Sequence, residues 1–516
     1  MLTAITLQNF KGVRDPMRVP IKPITLLFGA NSIGKSTIVQ AIHYAREILE
    51  RQNLDPDKTL SGGSAVDLGG FHSLVHNHDP ENKIILRFDL DLSETDLPTY
   101  RYYLLEDAPF DWSSWAQSAW VELIVQWSHS LKRPVLISYQ TALNGVPIAK
   151  IETALDEANV VVAYNSKHHI YSSYIAGLEE GNEEKPEPTE DGMEDAVQWE
   201  NVTVQNTPSS VPRWGELLIV NDETSPEGYV PEHFSVDISQ TLVGPGELLR
   251  DLLRRLRYLG PLRRTLPRNH RRALTEDESL WADGTAAWDV LSQSSQDFIN
   301  EVNTWLADAK RLDTGYSVRL DRFRAIPADS PLLTELFIAL RDETFFENYD
   351  LSYFESERDR HEIREHLAVI DEAKNLEVQP YDIGVGISQV IPVVVAALDT
   401  RQGIVAVEQP ELHLHPAVQA ELGDLFIESA LGPRSNTVLI ETHSEHLILR
   451  MLRRIRESSA NKNIATQTIT PDNISLLFVG NRQTGTSIQP LRIDKRGRII
   501  DRIPGGFFEE DFAELF

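Results

Sequence analysis

The stretch Gly29-Ala-Asn-Ser-Ile-Gly34-Lys35-Ser36 decides the fold of this 516-residue chain. It follows an apolar run, PITLLF, and precedes an amphipathic one, TIVQAIHYAREIL, which predicts a strand, a glycine-rich loop and a helix. In such a loop the backbone N–H groups converge on a phosphate, the lysine adds a compact positive charge, and the serine hydroxyl can ligate Mg²⁺. The minor alternative is a flexible glycine turn. We expect the cofactor-binding residues to be Gly29, Asn31, Gly34, Lys35, Ser36 and Thr37, with Ser36 also on the metal.

A second apolar run, Ile-Val-Ala-Val, ends in Glu408 and leads into Gln409-Pro-Glu411-Leu-His-Leu-His-Pro. The run predicts a buried parallel strand, and ligands of open α/β sheets bind beyond the carboxyl ends of such strands. Glu408 is therefore a candidate metal ligand, although a lone acidic residue after a strand is more often only solvated. Gln409 takes the place where a second carboxylate usually polarises the attacking water, and an amide cannot accept a proton. We expect slow hydrolysis, or Glu411 as a substitute for that carboxylate.

A glycine-rich turn, Asp382-Ile-Gly-Val-Gly386-Ile-Ser388-Gln389, precedes Glu408 and opens the run VIPVVVAAL. That run predicts a helix that is apolar on nearly all sides and therefore buried. Glycine admits close backbone approach, Ser388 can cap the helix, and the free N–H groups form a second anion site. A lone Gly-Ser turn is more often only structural. Because the first loop already binds one face of a triphosphate, we interpret Gly386 and Ser388 as serving the nucleotide of a partner subunit.

A fourth element, Thr437-Val-Leu-Ile-Glu-Thr-His443-Ser444, predicts a strand that ends close to His443. A histidine beside a phosphate site can hydrogen-bond the γ-phosphate or the attacking water, whereas a histidine alone is more often structural. The candidate catalytic residues are thus Gln409, Glu411 and His443.

The composition is that of an ordinary soluble protein, with 41% apolar and 25% charged residues. No apolar run is long enough for a membrane span, and the N-terminus reads as a strand rather than a signal peptide. The absence of cysteine fits a reducing compartment, so we expect a cytoplasmic protein. The net charge of −29 argues against uniform coating of DNA. The basic stretch 250–272 is open to two interpretations: a solvated helix face, or a surface that binds DNA or an effector.

The middle of the chain differs in character from its two ends. Runs such as IILRFDLDL and PVLISYQTAL predict strands, Asn144-Gly145 predicts a hairpin, and LLTELFIAL (332–340) is strand-like. The pattern from Gly246 to Leu259 is helical. We expect two halves of one nucleotide-binding domain at 1–82 and 377–516, separated by a β-rich insertion at 83–245 and a helical or mixed one at 246–376. The acidic segment near 178–198 is expected to be a disordered loop.

The four motifs, in this order, resemble the RecF/SMC-like branch of ABC ATPases. They are most similar to the OLD-like AAA ATPases of anti-phage systems such as Septu, Gabija, PARIS and retrons, the Septu-type ATPase subunit above all. The resemblance rests on GANSIGKST, DIGVGISQ, VAVEQPELHLHP and ETHSEHL, supported by NFKG and YLGPLRRTLPR. It implies an ABC-type P-loop domain with an inserted middle region, and ATP and Mg²⁺ as cofactors. It also implies that Glu408 holds the metal, that His443 meets the γ-phosphate, and that Gly386 and Ser388 meet the partner's γ-phosphate.

The resemblance implies a homodimer that encloses two nucleotides, with higher oligomers left open. Only a short segment follows His443, so we expect no appended Toprim nuclease and a separate effector subunit, an HNH-type nuclease or a toxin. The leading hypothesis is a slow ATPase that serves as sensor or scaffold in a defence complex. The alternatives are a RecF-like DNA-repair clamp that binds DNA, and a transporter's ATPase subunit, which the long separation of Lys35 from the second turn disfavours.

Overall fold

The computed structural model describes residues 1–31, 33–101, 112, 115–156, 159–171, 197–206, 209–265, 277–339, 341, 355–356, 358–460, 467–482 and 485–502. Of the loop near 178–198, which was expected to be disordered, residues 178–196 lie outside the described part of the chain. Of the basic stretch 250–272, residues 266–272 lie outside it.

The described strands, numbered in chain order, are β1 (Leu2–Gln8), β2 (Met17–Pro20), β3 (Ile24–Phe28), β4 (Lys58–Thr59), β5 (Gly63–Asp67), β6 (Ile84–Asp91), β7 (Ser118–Ser128), β8 (Arg133–Leu143), β9 (Val146–Thr153), β10 (Val160–Asn165), β11 (Trp199–Val202), β12 (Leu256–Leu259), β13 (Tyr316–Arg324), β14 (Ile363–Asp371), β15 (Leu376–Val378), β16 (Ile404–Glu408), β17 (Thr437–Glu441), β18 (Ile474–Arg482) and β19 (Gly485–Leu491). The described α-helices are α1 (Ser36–Arg51), α2 (Phe71–Leu74), α3 (Pro231–Ile238), α4 (Gly244–Arg254), α5 (Thr285–Gln293), α6 (Gln296–Ala307), α7 (Pro331–Ala339), α8 (Val385–Leu398), α9 (Pro416–Leu431) and α10 (Glu445–Ser459).

A six-stranded sheet in the order β12-β16-β17-β3-β18-β19 carries the glycine-rich loop. The pairs from β12 to β18 are parallel, and β19 is antiparallel to β18. Both faces of this sheet are covered: Val405 and Val407 of β16 belong to a core shared with helices α8, α9 and α10, whereas Ala406 belongs to a core shared with α1. Burial on both faces explains the unbroken apolar runs of these strands. The α/β class predicted from the sequence is confirmed.

A second, eight-stranded antiparallel sheet has the order β11-β10-β9-β8-β7-β6-β1-β2. The hairpin predicted at Asn144-Gly145 is confirmed: both residues have positive φ, 48° and 88°, as a tight two-residue turn between β8 and β9 requires. Strand β6 pairs with β1. The expected division at residue 83 therefore falls within one continuous sheet, which joins the N-terminal strands to the β-rich segment.

Two local expectations for the middle region were wrong. The strand-like run 332–340 is helical over Pro331–Ala339, because a proline favours the first turn of a helix and leucine, glutamate and alanine are good helix formers. The helix expected to continue from Gly246 ends at Arg254, and Leu256–Leu259 forms strand β12 instead. Since β12 pairs with β16, this part of the expected helical insertion belongs to the six-stranded sheet.

A buried carboxyl group, Asp237 on helix α3, lies behind the antiparallel sheet. It accepts a hydrogen bond from Trp112 Nε1 at 3.0 Å and another from the Tyr229 hydroxyl. Burial raises the pKa of Asp237 from 3.8 to about 7, and these hydrogen bonds only partly oppose that rise. Asp237 therefore keeps its proton in the folded protein at mildly acidic pH.

This burial predicts a pH-dependent stability. The pKa of Asp237 is 3.8 in the unfolded chain and about 7 in the folded protein. The stabilisation from the protonated, buried carboxyl group is therefore fully present below pH 3.8 and is lost as the pH rises through about 7. Asp237→Asn should therefore gain stability relative to wild type between pH 5 and pH 8, by at most about 1.4 kcal/mol per pH unit. Denaturant unfolding of both proteins at the two pH values measures the change. An equal difference at both values would contradict the prediction.

None of the helices in the described part of the chain is both long and apolar enough to cross a membrane.

Candidate nucleotide-binding site

The glycine-rich loop is held in place by close backbone approaches. Gly29 has a φ of +142°, and a methyl group on it would come within 2.3 Å of the Val479 carbonyl oxygen. Gly34 has a φ of +96°, and a methyl group there would meet the Thr486 hydroxyl at 2.8 Å. That hydroxyl donates to the Ile33 carbonyl at 3.0 Å. Only glycine fits both positions, so strands β18 and β19 fix the shape of the loop.

Lys35 closes the loop and is 4% exposed. Its Nζ donates to the carbonyl oxygens of Gly29 at 3.1 Å and Ala30 at 2.8 Å, and lies 3.9 Å from Glu441 Oε1. Burial lowers the pKa of Lys35, whereas nearby carboxylates, Glu441 first, oppose that shift. The loop thus holds a buried cation whose neighbours are carbonyl and carboxylate oxygens. Thr37 is buried behind it, Asn31 is exposed, and Ser32 lies outside the described residues.

Two glutamates meet the hydroxyl of Ser36, the first residue of helix α1. Ser36 Oγ donates to Glu441 Oε2 at 2.7 Å and is 3.4 Å from Glu408 Oε2. Glu408 and Glu441 are register partners at the carboxyl ends of the neighbouring strands β16 and β17. Burial, followed by the charge of Glu441, raises the pKa of Glu408 to about 7, and burial also raises the pKa of Glu441. This pair of carboxylates at one hydroxyl, Glu441 buried and Glu408 partly buried, suits a divalent cation.

Glu441 was missed as a site residue in the sequence analysis, although a signal existed. The runs IVAVE and TVLIE both end in glutamate after four apolar or β-forming residues. Parallel neighbours of equal length place such residues side by side.

Two residues near strand β12 contact Glu408: Tyr258 belongs to the strand, and Arg263 follows it. Tyr258 Oη donates to Glu408 Oε1 at 3.0 Å, and Arg263 Nη2 donates to the Glu408 carbonyl at 2.6 Å. Tyr258 also packs its ring edge-on against His43 at 4.9 Å between centroids. The sequence analysis did not identify Tyr258 or Arg263, because each is more than a hundred residues from Glu408 in the chain.

The two residues proposed to act on water differ in their surroundings. Gln409 has a left-handed backbone, with φ +47°, and its N–H donates to the Glu441 carbonyl at 2.7 Å. Glu411 accepts from the Thr442 hydroxyl at 2.9 Å and from the His443 N–H at 2.6 Å. Both oxygens of Glu411 therefore bind the loop after β17, whereas Glu441 and Glu408 are the carboxylates in contact with Ser36.

His443 lies beside this cluster, since its N–H donates to Glu411. Burial and the positive charge of Lys35 both lower its pKa. Its Nε2 atom is buried and has no hydrogen-bond partner within the described residues. A buried ring nitrogen without a partner is uncommon, and it is free to meet a ligand atom at this edge of the sheet.

The turn that contains Gly386 and Ser388 is not joined to the loop of Lys35. Helix α8 begins at Val385, and Ser388 Oγ donates to the Val385 carbonyl at 2.8 Å. A methyl group on Gly386 would come 2.8 Å from the His413 carbonyl, whereas one on Gly384 would meet nothing within 4 Å. Among the described residues, no hydrogen bond or ion pair connects Gly386 or Ser388 to residues 29–37. Val385 is 58% exposed, whereas the side chain of Ser388 is buried, so the turn is open at its first residues.

The residues at this edge fit a nucleotide with Mg²⁺. The loop supplies a buried cation and a backbone cradle that a single methyl group would fill, and Ser36 with Glu408 and Glu441 supplies oxygen ligands. No cluster of three or more histidine, cysteine, aspartate or glutamate side chains at metal-binding distance exists in the described segments. A cation here would therefore depend partly on oxygens of its nucleotide, as Mg²⁺ sites commonly do.

Two family models match the chain. Residues 1–95 match the family described as "AAA ATPase domain", and residues 286–450 match the family described as "AAA domain, putative AbiEii toxin, Type IV TA system". The first segment contains the loop from Gly29 to Ser36, and the second contains Ser388, Glu408 and His443. No protein of curated function matches the sequence. Two separate segments of the chain thus match AAA-type ATPase domains.

Solved structures of SMC head domains are similar over most of the chain. The Smc head bound to the C-terminal winged-helix domain of ScpA shares 10% identity, covers 96% of this chain and 98% of its own, and has a TM-score of 0.41. The SMC head domain from Thermotoga maritima shares 9%, covers 95% and 99%, and has a TM-score of 0.37. The Smc head with an extended coiled coil, bound to the C-terminal domain of ScpA derived from Pyrococcus furiosus, shares 10%, covers 95% and 96%, and has a TM-score of 0.40.

Proposed function

Starting from this AAA-type ATPase sequence, we propose that the chain binds MgATP where Lys35, Ser36 and Glu408 meet, and pairs with a second copy across two nucleotides. One observation carries the proposal. Lys35 and Ser36 lie with Glu408 and Glu441 at one edge of the sheet, which brings together a cation, a hydroxyl and two carboxylates. In the described part of the chain, Gly386 and Ser388 share no hydrogen bond or ion pair with residues 29–37, and Val385 at the start of their helix is exposed. A second anion site that does not face the chain's own loop is best used by the nucleotide of another copy.

Each residue at the edge has a role in this proposal. Lys35 exchanges its loop carbonyls for phosphate oxygens, and the N–H groups of the loop from Gly29 to Thr37 bind the phosphates. Ser36 and Glu408 hold the metal, with Glu441 as a further oxygen ligand. Bound Mg²⁺ supplies charge neutralisation for the phosphates. His443 donates or accepts a hydrogen bond at the γ-phosphate through its free Nε2.

Slow hydrolysis is the second part of the proposal. Gln409 cannot take a proton from water, and both oxygens of Glu411 already accept hydrogen bonds from Thr442 and His443. We therefore expect wild-type turnover with ATP and Mg²⁺ below about 1 per second, the low end of the usual enzyme range. Phosphate release by purified protein measures it. Turnover of tens per second would show that another group activates the water.

We further propose that the chain is the sensor or scaffold subunit of an anti-phage defence complex and controls a separate HNH-type nuclease or toxin. The description of the matched family, a putative AbiEii toxin of a Type IV toxin–antitoxin system, supports this role. The slow hydrolysis proposed above would let an ATP-bound state of such a subunit persist. Tagged protein isolated from its native host should carry an effector protein, and Lys35→Ala protein should carry less of it. A host that shows the same phage sensitivity with and without the gene would oppose the role.

The contacts of the arginines in the basic stretch 250–272 argue against the DNA-repair alternative. Most of its arginines in the described part contact acidic or carbonyl groups of the chain itself: Arg250 with Asp251, Arg254 with Glu50, Arg257 with Asp399, Arg263 with the Glu408 carbonyl, and Arg264 with Asp283. Arginines held in this way are less available to phosphates of DNA.

A further inference from the structure

The segment after strand β12 connects two motifs of the candidate site that are remote from each other in sequence. Arg263 lies in this segment and is 4% exposed. Its main-chain N–H donates to Gln389 Oε1 at 3.1 Å, and its carbonyl accepts from Gln389 Nε2 at 2.6 Å. Gln389 directly follows Ser388 on helix α8. The start of this helix is therefore fastened to Arg263 by both ends of one amide group.

The side chain of Arg263 reaches the metal-binding edge. Its Nη2 donates to the Glu408 carbonyl at 2.6 Å, and the charges of Glu411 and Glu408 stabilise the guanidinium. Glu411 in turn accepts from the His443 N–H at 2.6 Å. A continuous series of hydrogen bonds and charge contacts thus leads from the turn at Ser388 to the strand ends that carry Glu408 and His443.

Two guanidinium nitrogens of Arg263, Nε and Nη1, are buried and have no hydrogen-bond partner within the described residues. Leaving charged donors unpaired in the interior is costly. Replacing the arginine with a smaller group would remove this cost, so its presence needs a reason beyond packing. Arg263 is well placed to gain an acceptor when the groups around Glu408 and Glu411 rearrange.

Resting on the proposed nucleotide-bridged dimer, we propose that Arg263 is a positioning residue that couples the turn at Ser388 to the chain's own metal-binding edge. When the partner's nucleotide binds and shifts the start of helix α8, the amide group of Gln389 shifts the main chain of Arg263 with it. The guanidinium carries this movement to Glu408 and Glu411. Occupation of one nucleotide site thereby changes the affinity of the other, which is a coupling free energy between two sites.

The variants Arg263→Lys and Gln389→Leu test the coupling. Lysine keeps the charge but lacks the planar fork of donors, and leucine removes both amide contacts. With a fluorescent ATP analogue at low protein concentration, Gln389→Leu should bind nucleotide within about threefold of wild type, whereas sedimentation should show the ATP-dependent association of both variants weakened about tenfold or more. The double variant should lose less than the product of the two single effects, because both residues belong to one series of contacts.

Arg257→Lys is the matched control. Arg257 is also 4% exposed and lies on β12, but it bonds to the Arg401 carbonyl and to Asn436 Oδ1, away from the carboxyl edge. This variant should be less stable and should associate normally. Association of Arg263→Lys or Gln389→Leu at wild-type strength, or fully additive losses, would overturn the coupling alone. If Arg263→Lys does not fold, the ATP-dependent association of Gln389→Leu alone tests the coupling. A wild-type chain that binds no ATP, or binds it without associating, would overturn the proposed function and the coupling with it.

Discussion

Replacing Lys35 with alanine should weaken ATP binding at least about 100-fold, because it removes charge-assisted contacts to phosphate that contribute about 1.5–3 kcal/mol each. Lys35 is the only cation within 4 Å of Glu441 in the described part of the chain, so its loss also leaves Glu441 without a positive charge at that distance. A bound ATP would then face Glu408 and Glu441 with less neutralisation. Titration with a fluorescent ATP analogue in the presence of Mg²⁺ measures the affinity.

The control for this variant is Lys22→Ala. Lys22 Nζ also donates to a backbone carbonyl, that of Pro471 at 3.1 Å, and Lys22 precedes strand β3, whereas Lys35 follows the loop at its carboxyl end. Lys22→Ala protein should bind ATP with the affinity of wild type. Equal ATP affinity of Lys35→Ala and wild type, with the fold of both intact by circular dichroism, would refute the assignment of the phosphate site.

Replacing Gln409 with glutamate should raise the turnover number about 10- to 100-fold, since a positioned general base contributes a factor of about 10²–10⁴. The backbone of Gln409 is fixed by its N–H bond to the Glu441 carbonyl, so the new carboxylate starts from the same loop geometry. ATP affinity should change much less than turnover, because the added group acts mainly in the transition state. Phosphate release under saturating ATP measures the effect.

Gln402→Glu adds the same carboxylate near the opposite end of β16, where Gln402 is exposed and its amide donates to the Ser435 carbonyl. It should leave turnover unchanged. If Gln409→Glu binds ATP normally and hydrolyses it no faster than wild type, then the amide at this position does not limit the reaction.

The sheet that carries the site could be predicted from sequence because its strands are buried on both faces. PITLLF, GIVAV and TVLI are unbroken apolar or β-forming runs, and only a parallel sheet covered by helices on both sides needs such runs. The same reasoning placed Glu408 at a carboxyl end, where the structure has it. Helix α8 is buried from Ser388 to Leu398, as its all-round apolar pattern predicted.

The groups that complete the site could not be read from any local pattern. Tyr258 and Arg263 reach Glu408 only because β12 pairs with β16, a pairing that the sequence does not encode within a short window. The expected helix from Gly246 to Leu259 concealed this strand, because a run as short as Leu-Arg-Tyr-Leu has no period that separates a strand from a helix end. The run 332–340 was misassigned for the same reason.

The measurement that tests the central claim most directly is the molar mass of the chain with and without ATP and Mg²⁺, by analytical ultracentrifugation. We expect the mass to rise from that of one chain, 58.3 kDa, to that of two when MgATP is added. Val385→Glu, which places a negative charge on the exposed turn beside Ser388, should bind ATP and remain a single chain, whereas Ile363→Glu, a change at a similarly exposed residue (57% against 58%), should pair normally. A wild-type mass that does not change while ATP is bound would contradict the shared site.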